Sequence, residues 1–86
     1  MTISKSILVT NNDIRSSRLA REMLDCIRPF KGTVFIEKDN RKIQINGLIG
    51  ILSLGIEYGD ELEFSFISDN QETVDKLFNE IKVLLT

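Results

Sequence analysis

The stretch YGDELEFSFIS, residues 58 to 68, alternates. Leu62, Phe64 and Phe66 fall on one side, Glu61, Glu63 and Ser65 on the other. A period of two over a run of this length predicts a strand with one face buried. The chain then changes period at once. In SDNQETVDKLFNEIKVLL, residues 68 to 85, the apolar positions Val74, Leu77, Phe78, Ile81, Leu84 and Leu85 recur every three or four residues. That is the stripe of an amphipathic helix. Ser68 with Gln71, or Asp69 with Glu72, supplies a capping box for its start. A one-faced strand joined directly to a one-faced helix has a simple solution, in which helices lie over one side of a sheet.

The rest of the chain fits that plan. SILVT, residues 6 to 10, reads as a first strand, and NND breaks it. Leu19, Ala20, Met23, Leu24 and Ile27 then trace one helical face, with Ser16 or Ser17 as cap and Pro29 as stop. GTVFIEK (32–38), the turn signal KDN and RKIQI (41–45) form a hairpin. NGLIGILSLGI is ambiguous by pattern between strand and short helix. Leu48, Ile49, Ile51 and Leu52 suit a short helix ending at Gly55. The order is β-α-β-β-α-β-α. It predicts an α+β, two-layer open-faced sandwich with a four-stranded, mainly antiparallel sheet and helices on one face, a single domain over residues 1–86.

Composition removes many functions. The 86 residues contain no histidine and one cysteine. Imidazole acid–base chemistry, phosphohistidine, histidine or thiolate metal sites and Ser-His or Cys-His nucleophile pairs are thereby absent, as is an internal disulfide. No enzyme activity, cofactor or metal is expected. No apolar run is long enough for a membrane span, and the N-terminus lacks a signal-peptide pattern, so a cytoplasmic protein is expected. Residues 1–43 hold nine Lys/Arg against five Asp/Glu, and residues 44–86 hold two against eight. This asymmetry is either an ordinary mixed surface or a basic patch at Arg15, Arg18 and Arg21 that meets an acidic partner. Overall acidity, with no aromatic residue among those arginines, speaks against nucleic acid.

The segment NGLIGILSLGIEYGDELEFSF, together with the element order, resembles the HPr family, the histidine-containing phosphocarriers of the sugar phosphotransferase system. The likeness lies in two apolar residues, Gly50, two apolar residues and then Ser53-Leu54-Gly55, followed by an acidic-apolar strand. It spans nearly the whole chain. The family's active loop reads G-I-H-A-R-P-A at the start of the first helix, where this chain has Asp13-Ile14-Arg15-Ser16-Ser17-Arg18-Leu19. Ile14 agrees. Arg15 takes the place of the phospho-accepting histidine, Ser17 that of the arginine and Arg18 that of the proline. Arginine stays protonated at any accessible pH and offers no lone pair to phosphorus. In Gram-positive members a serine opening the second helix is phosphorylated by a regulatory kinase, and here Gly47 stands at that position.

The resemblance implies a carrier scaffold that has lost both phosphorylatable sites and works as a protein-interaction or regulatory module. Its partners would be phosphotransferase-system enzymes or regulators, and its state a monomer or weak homodimer. Leu48, Ile49 and Leu52 match the apolar patch that the family presses against its partners. The pattern also permits all three to be core. Arg15, Ser16, Ser17 and Arg18 form either a phosphate-binding helix start or a capped helix with solvated arginines. The alternatives are a phosphocarrier that uses Ser16 or Ser17, a small phosphate-anion sensor, and a scaffold. Cys26 shares a face with Leu19 and Met23 and is read as packing. Ser53 is not the regulated serine of the family, and Tyr58 and Gly59 form a turn without assigned chemistry.

Overall fold

A computed structural model describes residues 1–13 and 17–86. In chain order the elements are β1 (Thr2–Leu8), α1 (Ser17–Ile27), β2 (Thr33–Lys38), β3 (Arg41–Gln44), α2 (Leu48–Ser53), β4 (Glu61–Ile67) and α3 (Gln71–Leu85). The expected β-α-β-β-α-β-α order holds. All pairings in the four-stranded sheet are antiparallel, and the strand order is β1-β4-β2-β3. β4 is central because its alternation gives a fully apolar inner face. Leu62, Phe64 and Phe66 are wholly buried, while Glu61 and Glu63 stay exposed. Val34 and Ile36 of β2 continue that face, and the three helices close over it.

The helical stripes fill the other half of the core. Leu19, Ala20, Met23, Leu24 and Ile27 of α1 are all buried, as are Val74, Leu77, Ile81 and Leu85 of α3. Phe78 and Leu84 sit at the margin, partly buried against the same cluster. The β2–β3 hairpin turns at Asp39 and Asn40, whose φ values of 51° and 65° are those of a two-residue turn matching the sheet twist. Lys38 and Arg41 face each other across that turn.

Three local expectations are revised. β1 runs over Thr2–Leu8, not 6–10. As an edge strand it buries little, so Thr2, Ser4 and Ser6 disguise a seven-residue ladder to β4. Val9 lies beyond the strand yet is fully buried, held by backbone bonds from Val9 N to Asp60 O and from Gly59 N to Val9 O, each 2.8 Å. β3 stops at Gln44, one residue early, although Ile45 is buried and donates its N–H to Val34 O. The cap of α3 is Asn70, not Ser68 or Asp69. Asn70 Oδ1 accepts from Glu72 N at 3.0 Å and Thr73 N at 3.2 Å. Ser68 supports it from one step back, its hydroxyl accepting the Asn70 N–H at 3.1 Å.

Candidate functional site

The segment after β1 is tied to the far end of the chain. Thr10 and Asn11 both donate their backbone N–H to Leu85 O, and Asn11 Nδ2 donates to Leu84 O at 2.7 Å. The last carbonyls of α3 lack helical partners, so they are natural acceptors. Asn11 Oδ1 in turn accepts the Asp13 N–H at 2.8 Å. These bonds anchor the approach to α1. Arg15 and Ser16 lie outside the described residues. Ser17, exposed, opens α1 as described. Arg18 runs along its own helix, where its Nε donates to Glu22 Oε1 at 3.1 Å.

α2 lies beside α1. Ile51 points into the core and is 2% exposed, whereas Ile49 is 83% exposed and Leu52 47%. Leu48 is half-buried against the core. The three apolar residues thus divide, with Ile49 and Leu52 facing outward and Leu48 bridging to the interior. A cleft of about 210 Å³ between the helices, lined by Leu19, Met23, Ile51, Leu52 and Ile56, continues this apolar surface inward. Gly47 is the N-cap of α2, in extended backbone at φ −174°, and gives no side-chain cap bond. The space a Cβ would enter there is open.

The C-terminal end of α2 is held by residues that the sequence pattern did not single out. Arg41 Nη1 donates to Ser53 O at 2.7 Å, and Lys38 Nζ donates to Gly55 O at 2.6 Å. Lys38 also pairs with Asp60 at 2.8 Å, and Asp60 Oδ2 accepts the Glu57 N–H at 2.7 Å. Burial by itself raises the Asp60 pKa, but the hydrogen bond from Lys38, that from Glu57 N and the lysine's charge together bring it below the usual carboxylate value. The Ser53 hydroxyl donates to Gly50 O at 2.7 Å. Of this arrangement only the turn signal Lys38-Asp39-Asn40 was read from the sequence.

On another side, a cleft of about 530 Å³ between the end of α1 and the start of α3 is lined by Cys26, Phe30, Lys31, Asn70, Lys76 and Glu80 among others. Burial raises the Cys26 pKa, and the neighbouring Glu80 carboxylate raises it further by charge and by accepting the thiol hydrogen bond, with smaller contributions from Asp25 and Glu22. Since the thiolate is the reactive form, alkylation of Cys26 by iodoacetamide at pH 8 is expected to run several-fold slower than that of an unstructured cysteine peptide. Glu80→Gln should speed it, as followed by intact mass against time. An equal rate in the wild-type protein and the peptide would contradict this.

No metal-binding group of three or more acidic or cysteine ligands exists among the described residues. No helix among them is long and apolar enough to cross a membrane. A family model described as the "PTS HPr component phosphorylation site" matches residues 3–82. The chain belongs to the HPr family. Phosphocarrier protein HPr from Bacillus anthracis str. Ames matches with a TM-score of 0.79 at 25% identity, over 92% of this chain and 95% of that one. HPr-C-His from Thermoanaerobacter tengcongensis gives 0.74 at 23% identity, over 99% and 94%. A mycoplasma histidine-containing phosphocarrier protein gives 0.78 at 15%, over 95% and 90%; these two share the fold. No curated protein sequence matches the chain. HPr proteins are phosphocarriers, not catalysts, and they act with the enzymes of the phosphotransferase system.

Proposed function

We propose that this HPr protein acts by contact alone, as an interaction module that docks on phosphotransferase-system enzymes or regulators without carrying a phosphoryl group. The observation that carries this reading is the absence of any histidine from a chain of the HPr family; on the motif resemblance, Arg15 would stand at the phosphoacceptor position. On the same resemblance Gly47 would stand where the family's regulatory serine does. Both covalent handles would then be missing, while the apolar pair Ile49 and Leu52 faces outward. Exposed apolar side chains beside an apolar cleft favour protein contact, because docking removes them from water. Positive charge at the α1 start would steer a partner of opposite sign, making association faster at low salt.

The test is a fluorescence titration of the general enzyme of a Gram-positive phosphotransferase system with this protein and with the double variant Ile49→Asp, Leu52→Asp. Losing a buried anchor at an interface centre costs ~2 kcal/mol or more, about thirtyfold in Kd. The wild-type protein should bind and the variant should be at least that much weaker. Equal affinities would remove this surface from the account.

A further inference from the structure

α2 has few means of fixing its own direction. It spans six residues, too few to be stable as an isolated helix, and its N-cap contributes no side-chain bond. It holds Ile51 in the core and lays Gly50 toward β3, where an added Cβ would lie 3.5 Å from Ile43 Cδ1. Ile51 in the core, Leu48 partly buried against it and Leu54 buried at the C-cap seat the short helix along one edge, which leaves its roll about that edge to be set by other contacts. Its far end is also held by polar bonds. The β2–β3 hairpin reaches across with two cations to the carbonyls at and just after the C-terminus, Arg41 to Ser53 O and Lys38 to Gly55 O. Arg41 Nη2 also lies 3.3 Å from the Ser53 hydroxyl, which is itself bonded to Gly50 O inside the helix.

Carbonyls at a helix C-terminus are unpaired acceptors carrying partial negative charge, so cations are favourable there. Lys38 is the firmer of the two. Its side chain is 14% exposed, and it is locked to Asp60, which also holds the Glu57 N–H in the loop after α2. The hairpin, α2 and the 54–60 loop thus form one hydrogen-bonded unit. The docking pair flanks the buried Ile51, Ile49 two residues before it and Leu52 between it and this clamp.

We infer that Arg41 and Lys38 are positioning residues that set the direction of α2, and through it the placement of Ile49 and Leu52, by fastening the hairpin to the helix C-terminus. This inference rests on the docking reading for its functional meaning, though the geometry it describes is measurable without a partner.

The experiment compares the full chain with Arg41→Gln, Lys38→Met and the charge-preserving Arg41→Lys, using backbone residual dipolar couplings and amide hydrogen exchange. In Arg41→Gln and Lys38→Met the couplings of residues 48–53 should fit a new orientation relative to an unchanged β1–β4–β2 frame. Exchange at the Leu54 and Gly55 amides should quicken by about tenfold, since local opening there would lose its restraint. Arg41→Lys should fall between. Arg41 is exposed, so its variants are expected to fold even should Lys38→Met not. Wild-type couplings for α2 in Arg41→Gln, with unchanged exchange, would overturn the inference. Titrating the same variants against the general phosphotransferase enzyme separates the two ideas. Reoriented couplings in a protein that never binds the enzyme uphold the clamp and sink the docking reading; wild-type couplings in a protein that binds sink the clamp alone.

Discussion

Phe66→Ala should remove a large share of the chain's stability. Phe66 is wholly buried at the centre of β4 and gathers three other rings. Phe64 stacks beside it at 6.2 Å between centroids, and Phe30 and Phe78 meet it edge-on at 6.1 and 6.3 Å. These rings come from β4, from the turn after α1 and from α3, so truncation opens a void where both layers meet. Phe-to-Ala changes in cores cost ~3–5 kcal/mol, while a domain of this size has a total stability of ~4–13 kcal/mol at the usual value per residue. Urea denaturation followed by circular dichroism should show the midpoint falling by about a quarter or more of the wild-type value. A loss below about 1 kcal/mol would mean that the aromatic cluster does not organise the core.

The second large effect is expected from one methyl group. Gly32 sits between Phe30 and β2, and a Cβ there would overlap the Ile67 carbonyl oxygen and lie 2.8 Å from Phe30 Cε2. The carbonyl belongs to the backbone of the central strand and cannot swing aside as a side-chain tip can. Relief requires β4 or the 28–32 turn to shift, which would pull Phe30 off the edge of Phe66. Overpacking of this kind costs ~1–3 kcal/mol and more where backbone must move. Gly32→Ala should therefore lower the thermal midpoint by about 5–15 °C, taking ~5 °C per kcal/mol for a chain of this length. Gly47→Ala, where nothing lies within 4 Å, is the control and should shift it by far less.

The fold was legible because the core follows the periods of its elements. The five apolar positions assigned to α1 are the five that are buried, and the alternation of β4 gave its inner face residue by residue. What the pattern hid depended on tertiary context. The start of β1 is an edge with polar outward positions, so its signal is weak until its pairing to β4 is seen. The α3 cap fell to Asn70 because several side chains in SDNQET can cap, and only the entry angle of the chain selects one. Phe30, just after the helix-ending Pro29, belongs to no periodic run, yet it packs edge-on against Phe66.

The candidate site was legible in part. Ile49, Leu52 and Leu48 were named together, and the structure separates two exposed residues from one half-buried, a division a six-residue helix cannot announce by itself. Ser17 and Arg18 lie at the start of α1 as described, with Arg18 engaged by Glu22. Lys38, Arg41 and Asp60 were missed because their bonds to 53–57 span a fold contact that periodicity does not encode.

The central claim is that this carrier scaffold makes and breaks no bond to phosphorus. It is tested most directly by incubating the protein with phosphoenolpyruvate and the general enzyme of the phosphotransferase system, with a histidine-bearing HPr as positive control, and reading intact masses. The account predicts a phosphoryl gain on the control and an unchanged mass for this chain. A stoichiometric gain here, discharged onward to a sugar-permease component, would contradict it.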